Sequence, residues 1–164
     1  MPSYTHLAYR RNAKAAARNQ QIKKPKNLES LERAREDFGF FCDYVADKPP
    51  AYHHKEWNRN FITNENSSCL IKIAGPNVDL LAPRGSAKST VLGLLTAWAI
   101  GVHTQAGKPL QVLYLSYTVD IARSKSATIK RIIESKRYQE VFPKVRLLKN
   151  VTSNEYWSID HKFA

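Results

Sequence analysis

In LESLERAREDFGFFCDYVAD the apolar residues Leu31, Ala34, Phe38, Phe41, Cys42 and Val45 recur at helical spacing. The pattern predicts one helix, capped by Asn27 or Ser30 and stopped by the turn Lys48-Pro49-Pro50. A second short helix begins around Tyr52 and includes Trp57 and Phe61. TNENSS then reads as a loop, CLIKIAG as a short alternating strand, Gly75-Pro76-Asn77 as a turn and VDLLA (78–82) as a strand. After Lys88 the chain is nearly all apolar (Val91, Leu92, Leu94, Leu95, Ala97, Trp98, Ile100), the signature of a helix buried on most sides, ending near Gly101. TQAGKP makes a turn, and LQVLYLS (110–116) is a compact apolar strand. A helix from about Val119 to Lys136 follows, with Ile121, Ala122, Ile129, Ile132 and Ile133 set among basic residues. Beyond Phe142-Pro143 lie two more expected strands, VRLLKN and EYWSID.

Strand, loop, buried helix, strand, helix, strand is a βαβ series, so the expected fold class is α/β with a largely parallel sheet and helices on its faces. Three segments are expected: a basic flexible arm over 1–26, a helical segment over 27–68, and a partial α/β core over 69–164.

Charge adds a partner to this picture. The net charge is +12, from 26 Lys and Arg against 14 Asp and Glu, and it is uneven. Arg10, Arg11, Lys14, Arg18, Lys23, Lys24 and Lys26 stand in the arm with no acid among them. Such an excess suits a polyanion, because Lys and Arg release counterions from a nucleic-acid backbone; the plainer reading is a solubilising surface with a basic tail. Arg123, Lys125, Lys130 and Arg131 pose the same choice between a DNA path and a solvated helix face. No apolar run reaches the ~18 residues of a membrane span, and the basic start lacks the apolar stretch of a secretory signal. Cys42 and Cys69 follow no metal-ligand spacing and are expected to be buried free thiols in a reducing cytoplasm.

The candidate chemistry is concentrated in Ala82-Pro83-Arg84-Gly85-Ser86-Ala87-Lys88-Ser89-Thr90, between an apolar strand and a buried helix. A phosphate-binding loop of the form G-x-x-x-x-G-K-[ST] curls backbone N–H groups around phosphate oxygens at a helix N-terminus. Here alanine holds both outer glycine positions, Gly85 remains within, and Lys88-Ser89 keep the Lys-Ser register. Lys88 and Arg84 are expected to hold the β/γ oxygens, and Ser89 to ligate Mg²⁺, with Thr90 assisting. Pro83 to Ala87 form the cradle, Gly85 to Ala87 as backbone donors. The alternative is an ordinary strand-to-helix turn with a surface lysine.

Pro-Arg-Gly-Ser-Ala-Lys-Ser-Thr after an apolar strand resembles the deviant Walker A loop of the large terminase subunit of tailed double-stranded DNA phages. Leu113-Tyr-Leu-Ser-Tyr117, Ile121-Ala122, IKRIIES and Tyr138-Gln-Glu-Val-Phe-Pro143 are similar to the second strand and helix of that ATPase domain. Pro50-Ala-Tyr52-His53-His54-Lys-Glu-Trp57 is similar to its adenine-holding segment. The resemblance runs from about residue 36 onward. It implies a P-loop NTPase-type parallel sheet, ATP and Mg²⁺ as cofactors, and translocation of double-stranded DNA into a procapsid. It also implies a homo-oligomeric ring in the host cell cytoplasm, with the portal protein and the small terminase subunit as partners and no membrane. Tyr52, His54 or Trp57 would stack on adenine or bond its edge; equally, Trp57 and Phe61 are core aromatics. Ser116-Tyr117 would stand at a strand's C-terminal end, where α/β sites gather, or else simply cap the next helix.

One part of that machinery has no counterpart in the sequence. ATP hydrolysis in this class needs a strand ending in Asp then Glu. The nearest stretch, Tyr156-Trp-Ser-Ile-Asp160, is interrupted by Ser158 and has His161 in place of the glutamate, so it reads as a plain strand end. The terminase nuclease part has no counterpart either. The expectation is a fragment, truncated before its Walker B strand, that binds nucleotide weakly without turning it over. A sheet left incomplete would expose an edge and lower solubility. The rival readings are a fragment of another helicase-like P-loop translocase and a non-enzymatic basic nucleic-acid-binding or assembly fragment with a vestigial loop.

Overall fold

The computed structural model describes residues 28–63, 72–73, 79–108 and 110–160. The expected basic arm, most of CLIKIAG, Asn27, Cys69 and His161 lie outside the described residues. The elements are α1 (Leu28–Glu36), α2 (Phe38–Ala46), α3 (Tyr52–Phe61), β1 (Ile62–Thr63), β2 (Lys72–Ile73), α4 (Lys88–Gln105), α5 (Val119–Glu134), α6 (Lys136–Val141), β3 (Leu147–Thr152) and β4 (Trp157–Ile159).

The single helix expected over 28–47 is two. Asp37 leaves the helical region (φ −112°, ψ 108°), and its carboxylate accepts from the amides of Gly39 and Phe40, capping α2 at the break. Both pieces still present their apolar face to one core: Ala34, Phe38, Phe41 and Cys42 pack with Val91, Leu94, Ala97 and Trp98 of α4. Ile129 and Ile133 of α5, Tyr138 and Val141 of α6, then Phe142 and Val145 complete it. Two buried aromatic residues have their polar tips satisfied across elements. The Trp98 indole donates to the Ala34 carbonyl (3.0 Å), and the Tyr138 hydroxyl to the Ala97 carbonyl (2.8 Å). Outside the core, Arg35 donates to Val141 O, while Arg137 joins Asp47 and the Tyr44 carbonyl, fastening α1–α2 to α6. Helix α4 runs to Gln105, one turn beyond the expected end, because Gly101 is a contact and not a stop: a Cβ there would lie 2.5 Å from the Phe142 ring.

The expected parallel P-loop sheet is overturned. Among the described residues only two short antiparallel pairs form, β1 with β2 and β3 with β4. Residues 79–82 and 110–116 carry no ladder, and Leu81, Leu113 and Leu115 are 96%, 81% and 79% exposed. Parallel strands are stable when helices cover both faces. Here α4 and α5 spend their apolar faces on each other and on the α1–α2 pair instead. The last two expected strands do form, as an antiparallel hairpin seated on α5 by the Trp157 indole donating to Ser126 Oγ (2.8 Å). Among the described residues no helix is long and apolar enough to cross a membrane.

Burial makes this core sensitive to alkali. Desolvation, with Asp37 and Asp43 nearby, pushes the Cys42 thiol from its ordinary 9.0 up to about 12, and burial also raises the Tyr138 phenol. The folded protein therefore keeps protons that the unfolded chain releases, so stability is full below about pH 9 and falls as pH rises beyond it. Cys42 alone is expected to remove roughly 2 kcal/mol between about pH 9 and about pH 11. Urea midpoints measured across that range check this, and Cys42→Ala should flatten the decline.

Candidate phosphate-binding loop

The loop is closed on itself by short local bonds. Ser86 donates from its hydroxyl (2.8 Å) and its amide (3.5 Å) to the Pro83 carbonyl, making the turn. The Lys88 ammonium folds back and donates to Ala82 O at 2.9 Å, so lysine bridges the two ends. Two residues take left-handed backbone angles: Gly85 (φ 84°) and Ala87 (φ 57°). Ala87 stands where the ordinary motif has glycine, and the chain adopts there the conformation for which glycine is used. An alanine in that region costs roughly 1–2 kcal/mol.

Left-handed residues in a turn can gather backbone amides into the concave arrangement that binds anions. The first intrahelical donors of α4 are Thr90 and Val91, both to Ala87 O. Among the described residues no acceptor takes the amides of Gly85, Ala87, Lys88 or Ser89. They stand at the N-terminus of an 18-residue helix, where the dipole favours negative charge. Pro83, Arg84, Ser89 and Thr90 are exposed around them, and Lys88 is half-buried. Ala87→Gly is expected to relieve the strain and stabilise the protein by about 1 kcal/mol, against the usual sign for this change. That corresponds to a Tm rise of roughly 2–4 °C in a calorimetric scan.

The upstream aromatic residues divide. Tyr52 is 80% exposed at the start of α3. Trp57 is half-buried against the core, which favours its packing role. His54 is buried and sits on the loop: its Nε2 is 2.8 Å from Ser86 O, and its Nδ1 accepts from the Ala51 amide (3.2 Å). Both ring nitrogens are thus engaged, leaving none to bond an adenine edge. His53, for which no role is expected from sequence, adds a longer contact to the same carbonyl (3.4 Å). The rings of His53 and His54 each lie 5.1 Å from Trp57.

Other candidate features are not brought to the loop. Thr118, not Ser116 or Tyr117, caps α5 through the Ile121 amide, and Tyr117 projects into solvent. The α5 cations form no continuous track, since Arg123 pairs with Glu155 and Asp120 while Lys130 is buried against Ser153 O. Strand β4 ends at Ile159, and the Asp160 amide bonds back to Arg146 O, a plain strand end. Among the described residues no group of three or more His, Cys, Asp or Glu side chains forms a metal site. For a divalent cation the loop offers the Ser89 hydroxyl, a fit for Mg²⁺ arriving on phosphate oxygens with its waters.

No protein-family model, no curated protein and no solved structure matches this chain.

Proposed function

We propose that loop 82–90 binds the β- and γ-phosphates of ATP with Mg²⁺, and that the chain is the nucleotide-binding part of a DNA-packaging motor of the large-terminase kind. One observation carries the reading: two left-handed residues, one a strained alanine, lead into the N-terminus of α4 beside Lys88, where the amides of Gly85, Ala87, Lys88 and Ser89 meet no acceptor among the described residues. Backbone strain held in place by surrounding contacts is characteristic of ligand sites. The reading rests on the loop and its helix and uses no sheet. Gly85 to Ser89 supply donors, Lys88 and Arg84 supply charge, and Ser89 supplies a magnesium ligand. Bound Mg²⁺ would offset charge on the phosphates. In the intact motor the partners are double-stranded DNA, portal protein and small terminase subunit within a homo-oligomeric ring.

Thermal unfolding with nucleotide tests this. Mg-ATP at about 100 times its Kd is expected to add about 2.7 kcal/mol of stability, and AMP, lacking the β- and γ-phosphates, to add far less. Equal shifts with ATP and AMP, or none with either, would contradict the proposal.

A further inference from the structure

We infer that His54 is a positioning residue that holds the phosphate loop in its binding shape through the Ser86 carbonyl; this rests on the phosphate reading above. The bonding pattern assigns the ring's protons. Ser86 O can only accept, so Nε2 carries the hydrogen, and the Ala51 amide donates, so Nδ1 is bare. One neutral tautomer satisfies both partners, and the ring is 9% exposed, wedged between His53 (4.0 Å between centroids) and Trp57.

The bonded carbonyl lies between the two left-handed residues, Gly85 and Ala87. The peptide joining Ser86 to Ala87 has its oxygen held by His54, so its N–H, the Ala87 amide, faces the opposite way. Rotation of that peptide would scatter the amides that a phosphate needs together. Lys88 holds the ends of the loop and His54 its middle, from a helix 32 residues upstream. The imidazole therefore acts on the phosphate-binding amides and leaves the base alone.

Two amide side chains separate the ring's ends. His54→Gln places a donor near the Nε2 position, within reach of Ser86 O; His54→Asn places an acceptor near Nδ1, keeps the Ala51 bond and falls short of the loop. Calorimetric titration of each full-length variant with Mg-ATP and with magnesium tripolyphosphate, which has no base, reads the difference. His54→Gln should bind both within about threefold of wild type, and His54→Asn about tenfold more weakly, the loss of one hydrogen bond to a partly buried acceptor. Equal affinities in the two variants would overturn the inference, as would a loss confined to ATP, which would make His54 a base contact. Wild-type protein that binds neither ligand would sink the phosphate reading itself. Wild-type binding with His54→Asn unaffected would sink the His54 assignment alone.

Discussion

Lys88→Ala is expected to weaken Mg-ATP binding by about 100-fold or more, close to 3 kcal/mol, in a calorimetric titration. The ammonium is tied to the loop's own backbone through Ala82 O, and a charge-assisted bond to phosphate contributes about 1.5–3 kcal/mol. The unliganded protein should lose little, because the side chain is only half-buried and its bond to Ala82 O is an ordinary one. Lys88→Arg should not restore affinity, since a planar fork cannot take the place of a compact ammonium inside a closed loop. Affinity in Lys88→Ala equal to wild type would remove the loop from the account.

The largest effect on stability is expected on the same helix, thirteen residues on. Gly101→Ala puts a Cβ 2.5 Å from the Phe142 ring, which is 1% exposed and held by Tyr138 (5.2 Å between centroids) and Phe41 (6.1 Å). With no free side for the ring to move into, overpacking should cost about 3 kcal/mol, a Tm fall of roughly 6–12 °C. Gly93→Ala makes the comparison sharp. Its nearest atom would be Ile129 Cγ1 at 3.8 Å, ordinary contact, so the helix gains alanine's propensity of about 0.5–1 kcal/mol. The same change eight residues apart should destabilise at one position and stabilise at the other. Urea unfolding of the two variants measures both signs.

The helices were legible because their cores are written locally. The apolar runs of α4 and α5 and the stop at Pro49-Pro50 need no distant partner to be read. The Asp37 break is marked in the sequence only by an aspartate ahead of Gly39 and Phe40, and the apolar periodicity runs straight through it. The sheet was not legible. VDLLA and LQVLYLS are short apolar runs, and such runs look alike whether they enter a ladder or lie extended on a surface; pairing is a property of partners far along the chain. The turn ahead of α4 was legible from its order of residues, including an alanine at a position that takes a positive φ. The role of His54 was not, because its bond to Ser86 spans 32 residues and nothing in Tyr52-His53-His54 announces which carbonyl it meets.

The most direct test of the central claim is a backbone amide NMR titration of the wild-type chain with Mg-ATP. The account predicts saturable shifts centred on the amides of Gly85, Ala87, Lys88 and Ser89, reproduced by magnesium tripolyphosphate and absent with adenosine. Shifts that saturate elsewhere while these four amides stay still would contradict it.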